Sequence, residues 1–151
     1  MKLAEALQER ADCSRRIDQL EARIQQSALV QEGEEPPEDP QALMEEMDAA
    51  ISRLGDLMRQ INLTNSATLL DGEPLTALIA RRDALQLRVH KLQNICNAAG
   101  NRISRARGTE IRILPTLDVA ALRKETDRLA RELRLLDNRL QQCNWTCDLM
   151  E

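Results

Sequence analysis

The sequence contains no phenylalanine and no tyrosine, and only one tryptophan, one histidine, five glycines and five prolines in 151 residues. Each shortage excludes a class of function. Without aromatic rings there are no platforms on which single-stranded bases can stack. The net charge is −4 with both signs interleaved, so no overall field attracts a polyanion. Nucleic-acid binding is therefore not expected. No stretch reaches the roughly 18 apolar residues that a membrane-spanning helix requires. The opening Met1–Arg10 is too densely charged for a signal peptide. Together these predict a cytoplasmic chain. A lone His90, the lack of a glycine-rich phosphate loop and the lack of a nucleophile in a sharp turn leave every standard catalytic constellation incomplete. The chain is accordingly expected to be no enzyme, with no catalytic residue, no cofactor and no metal. Cys13, Cys96, Cys143 and Cys147 form no spaced disulfide framework and are expected to be free thiols.

What is present is aliphatic and charged. Leucine, alanine, glutamate and arginine dominate, and their spacing is that of helical bundles and coiled coils. The fold expected is all-α: four long antiparallel helices, arranged as a bundle or as coiled-coil hairpins, in a single domain over 1–151. Helices are predicted at about 2–31, 40–63, 74–106 and 117–147, with one short β-strand near 109–114, where polar and branched apolar residues alternate.

In the first helix the seam runs through Leu3, Leu7, Ser14, Ile17, Leu20, Ile24 and Ala28. The linker from Glu32 to Pro40 is acidic and proline-rich, and reads as a solvated loop. Asp39-Pro40 is a strong helix start, a capping carboxylate followed by a proline at the first helical position. The second helix carries Leu43, Met47, Ile51, Leu54, Met58 and Ile61 on one face, with Met44 and Leu57 widening it. The third has Leu75, Leu78, Ile79, Leu85, Val89, Leu92, Cys96, Ala99 and Ile103, and the fourth has Leu122, Leu129, Leu133, Leu136, Leu140 and Cys143.

Three features stand apart from the helical repeat. The central stretch crowds small polar groups, Asn62, Thr64, Asn65, Ser66, Thr68 and Asp71. These either end a helix and bond its loop, or form a polar pocket or a layer that sets subunit register. Arg102, Arg105, Arg107 and Arg112 make a basic tip that is either solvated or able to bind an anion. Trp145 has the bulk of a packing anchor at the end of the bundle, and a partner-binding hot spot is the alternative. Cys143 and Cys147, four residues apart, share a helix face; alone they supply too few ligands for zinc.

The opening Met1–Asp12, the run Ala28–Pro36, the run Thr64–Gly72 and Asn144-Trp145-Thr146 resemble the septicolysin-like family of small bacterial proteins, over nearly the whole length. The resemblance implies a helical bacterial protein without established catalytic residues, and the family name implies a cytolysin. The residues themselves favour a non-enzymatic, self-associating helical scaffold or interaction protein, because long narrow-seamed helices have a second face to cover. A homo-oligomer is therefore the partner expected. A membrane-active role is one alternative, although helices this dense in both charges are not expected to bind membranes. A small-ligand or metal-binding role at the central polar stretch is the other, with no particular small molecule indicated.

Overall fold

The computed structural model describes residues 1–100 and 112–151. Four helices account for most of them: α1 (Leu3–Ser27), α2 (Pro40–Ala67), α3 (Leu75–Gly100) and α4 (Val119–Thr146). A two-stranded hairpin, β1 (Leu69–Leu70) and β2 (Glu73–Pro74), separates α2 from α3. The chain divides into two compact units, one made of 1–74 and 142–151, the other of 75–141.

In the first unit α1 and α2 pack antiparallel. Leu3, Ala6 and Leu20 of α1, and Leu43, Leu57 and Ile61 of α2, are buried. Three ion pairs along the flanks fix the register: Arg23 with Glu38, Arg16 with Glu46, and Arg53 with Glu9. The Arg53 fork is bidentate, with Nε and Nη2 donating to the two Glu9 oxygens at 2.7 and 2.9 Å. Such exposed pairs are screened by solvent, so they set alignment while the aliphatic seam carries the stability.

The α1 seam is displaced from its expected line. Cys13 is half-buried and Ser27 buried, while Ser14 and Ala28 are exposed. The actual seam follows Leu3, Leu20 and Ser27 around the helix, and Ser14 lies one residue, about 100°, off it.

The start of α2 forms as its sequence predicts: Asp39 accepts from the Gln41 amide at 3.0 Å, and Pro40 occupies the first turn. Its end does not. The helix continues through Asn62–Asn65 to Ala67, and the Thr68 amide donates to Thr64 O at 2.9 Å to close it. The reason is Thr64, which is fully buried and behaves as a core residue one seven-residue step beyond Leu57.

Asp71 (φ 53°) and Gly72 (φ 83°) then form a two-residue turn in which both positions are left-handed, the geometry favoured for tight hairpins. The pairing is Leu69 with Pro74 and Leu70 with Glu73. Glu73-Pro74 thus belongs to a strand rather than to the start of α3. The strand expected near 109–114 is not found at 112–114, which have no regular structure; its residues 109–111 lie outside the described residues.

In the second unit α3 and α4 also run antiparallel. Cys96 Sγ lies 3.9 Å from Thr126 Oγ1 in the interior, and Arg82 reaches Asp137 at 3.6 Å nearer the other end. Val89 and Cys96 of α3 and Leu129 and Leu136 of α4 are buried. Asp118 caps α4, its carboxylate accepting from the Ala121 amide at 3.0 Å.

Candidate functional site

Two features of the first unit stand out: an apolar face of α2 that α1 does not cover, and the junction where the two chain ends meet.

The apolar residues of α2 named above, placed at 100° per residue, spread over an arc of about 140°. One neighbouring helix can cover only part of such an arc. Leu43, Leu57 and Ile61 lie on the covered side; Met47 and Leu54 are half-buried at its edge. Met44, Ile51 and Met58, spaced seven residues apart, remain 43%, 46% and 49% exposed. Gly55 lies on the same uncovered side, with open space where a side chain would stand. The sequence pattern placed Leu43, Met47, Ile51, Leu54, Met58 and Ile61 on one face, with Met44 and Leu57 at its margins. The structure moves the core line toward Leu43 and Leu57 and leaves Ile51 and Met58 outside.

At the junction, Lys2 and Asp148 form an antiparallel bridge. Leu3 N donates to Cys147 O at 3.0 Å and Leu149 N to Met1 O at 2.9 Å. Lys2 Nζ donates to Asp148 Oδ1 at 2.7 Å and to Thr146 O at 3.1 Å. The lysine holds the Asp148 carboxyl below its ordinary range, chiefly through that hydrogen bond. Helix α2 joins the same junction through Thr64: its hydroxyl donates to Gln60 O at 2.8 Å and accepts from the Met150 amide at 2.9 Å. Cys143 and Cys147 lie alongside, Sγ to Sγ 2.9 Å, with Cys143 buried and Cys147 half-buried.

The central polar set, read in the sequence either as a helix end with its loop or as a pocket, lies along the end of α2 and its hairpin. Ser66 Oγ donates back to Asn62 O at 2.9 Å, Thr64 faces the junction, Thr68 closes the helix, and Asp71 sits in the hairpin turn. Asn65 is half-buried, and its Oδ1, like Gln60 Oε1, is enclosed with no hydrogen-bond partner among the described residues. These groups follow one another along a helix and its hairpin; they do not converge on a common point. Of the arginine tip, Arg102, Arg105 and Arg107 lie outside the described residues, and Arg112 is exposed. Trp145 is 54% exposed, so it is not buried as a packing anchor in this chain. His90 is exposed, with Nε2 3.4 Å from the Asn94 amide nitrogen.

The second unit carries an apolar groove of about 450 Å³ lined by Leu92, Ile95, Leu117, Ala121 and Leu122 among others. Among the described residues, no three histidine, cysteine, aspartate or glutamate side chains cluster as a metal site would need. No helix among them is long and apolar enough to cross a membrane.

Residues 10–149 match the model of a family of unknown function, DUF6847. The chain belongs to that family. This DUF6847 chain is also similar to a functionally unknown conserved protein from Corynebacterium diphtheriae, seen in a crystal structure. The two are 35% identical, 99% of each chain is covered, and the TM-score is 0.94. No curated protein matches the chain. Neither the family nor the corynebacterial protein carries the septicolysin name.

Proposed function

We propose that this DUF6847 chain is a non-enzymatic helical interaction protein that self-associates through the uncovered face of α2. The observation that carries the reading is the seven-residue spacing of the exposed Met44, Ile51 and Met58. A strip of large apolar side chains in that register is what a second helix packs against in coiled coils. Gly55 beside it allows a close approach. Scattered exposed apolar residues are ordinary on protein surfaces, whereas three in register along one helix form a seam that a second helix can cover.

Full burial of a methionine or isoleucine is worth about 1.5–3 kcal/mol, so three half-exposed residues on each of two copies supply roughly 6 kcal/mol. Association costs at least about 4 kcal/mol of lost freedom. The surplus of about 2 kcal/mol corresponds to a dissociation constant of roughly tens of millimolar, so the dimer proposed here also buries the side chains that flank the strip, Met47 and Leu54 among them.

Absolute mass by light scattering across a concentration series tests this. The expected result is a rise toward a multiple of 17.1 kDa. The triple variant Met44→Glu, Ile51→Glu, Met58→Glu should stay at the monomer mass while keeping its helical circular dichroism. A wild-type chain that remains monomeric at every concentration, or a triple variant that associates as the wild type does, overturns the proposal.

A further inference from the structure

The Cys143–Cys147 pair takes no part in the proposed association, and its geometry is specific. Cys143 lies in the last turn of α4, and Cys147 follows directly after the helix ends at Thr146. The Cys147 amide still donates to Cys143 O at 2.8 Å, so the two residues keep helical spacing. Four residues of helix advance about 6 Å, within the Cα separation that a disulfide tolerates. The two sulfurs stand 2.9 Å apart, closer than two unbonded sulfurs rest in contact. Because Cys147 is outside the helix, the small backbone adjustment that bonding requires falls on a residue whose conformation is not fixed by a continuing helix.

We propose that Cys143 and Cys147 are a reversible dithiol–disulfide site, oxidised by exchange with low-molecular-weight disulfides.

The two thiols have different roles. Cys147 is the more exposed and is the attacking sulfur. Burial, reinforced by the hydrogen bond to Cys147 and by the charge Cys147 carries when ionised, pushes the Cys143 thiol up to about 11. Cys143 is thus protonated and enclosed until its neighbour has reacted. In the first step the Cys147 thiolate attacks one sulfur of the small disulfide. That S–S bond breaks, a mixed disulfide forms, and one small thiolate leaves. In the second step Cys143 gives up its proton and attacks the Cys147 sulfur. The mixed bond breaks, the intramolecular S–S bond forms, and the second small thiolate leaves. The two protons released by the cysteines end on the two small thiols, so the protein dithiol is oxidised and the small disulfide is reduced.

The location gives the bond a structural consequence. Cys147 O holds the Leu3 amide, and the three residues after it bridge to Met1, Lys2 and Thr64. A bond from Cys147 to Cys143 anchors that C-terminal strap to α4 covalently.

Trypsin releases Leu140–Glu151 as one peptide, which holds both cysteines and contains no lysine or arginine. The intact protein is incubated over a series of oxidised-to-reduced glutathione ratios, quenched in acid, alkylated, digested and weighed. The expected peptide is two hydrogens lighter and unalkylated at ratios that leave Cys13 and Cys96 alkylated. Reductant should restore it. In Cys143→Ser the peptide should stop at the mixed disulfide on Cys147, and in Cys147→Ser the remaining Cys143 should stay free. In the oxidised wild type, amide exchange at Leu149 and Met150 should slow. A peptide that remains doubly alkylated across the series overturns the proposal. So does one that stops at the mixed disulfide in the wild type, or one linked to another chain.

Discussion

Replacing Thr64 with valine removes one oxygen from the interior and leaves the shape of the side chain almost intact. Thr64 is fully buried, and its hydroxyl is the sole tie from α2 to the Met150 amide described above. Its second bond, to Gln60 O, matters less, because that carbonyl also accepts from the helix backbone. Loss of the hydroxyl leaves the Met150 N–H without its acceptor. A partly buried donor in that state costs about 1–2 kcal/mol, less than a fully enclosed one, because water can reach the half-exposed Met150. For a chain of this size that is a fall in Tm of about 3–6 °C. Thr64→Ser keeps the hydroxyl and loses a methyl group, at about 1 kcal/mol. Melting curves alone separate the two variants poorly, whereas hydrogen exchange separates them well. The Met150 amide should exchange freely in Thr64→Val and remain protected in Thr64→Ser. A Thr64→Val protein with wild-type stability and a protected Met150 amide would refute the assignment of that hydroxyl as the tie.

Leu57→Ala, at a fully buried position in the α1–α2 seam, should cost about 2–5 kcal/mol in urea unfolding without altering the helical spectrum of the native state. Gly72→Ala places a side chain at φ 83° and should destabilise the hairpin by about 1 kcal/mol, although space for the methyl exists. Acid should weaken the fold in a defined direction. Glu9, Glu38, Glu125 and Asp148 are each held below the ordinary carboxylate range, first by hydrogen bonds from Arg53, Arg23, Arg128 and Lys2 respectively. Their contribution is therefore complete above about pH 4.3 and is lost as pH falls through the lowered values. Thermal melts from pH 6 down to pH 2 check this, and Glu9→Gln should flatten part of the slope.

Helix number, order and antiparallel pairing were legible because the seven-residue repeats and the start and stop signals agreed. Asp39-Pro40 acts where its chemistry places it. The α4 seam was read almost residue for residue, since its apolar stripe is narrow and admits one packing direction. Helix α2 was not, because its apolar arc is wide enough for two partners. A periodicity cannot say which half faces α1. Thr64 was misread for a related reason: a hydroxyl next to asparagine and serine resembles a helix end, and only the backbone of Met150, distant in sequence, makes it a core residue. Trp145 was assigned by its bulk, which does not show whether the surface around it is covered. The contact of Cys143 with Cys147 was half visible. Their spacing put them on one face, while the closeness of the sulfurs depends on where α4 ends.

The first unit is not continuous in sequence. Residues 1–74 are completed by 142–151, and the whole of the second unit is inserted between them. During synthesis, residues 75–141 leave the ribosome before the segment that caps α1 and holds Thr64. An α1–α2 hairpin formed early must therefore wait with the Leu3 amide lacking the Cys147 carbonyl and the Thr64 hydroxyl lacking the Met150 amide. Once the second unit has folded, the entropy of bringing the distant segments together no longer grows with the full length of the insert, because much of that chain is already ordered. A folded second unit thus lowers the entropic cost of closing the first by a modest amount, since that cost grows only with the logarithm of loop length. A substitution confined to α3, such as one at Val89, can then slow closure of a junction whose residues it never touches.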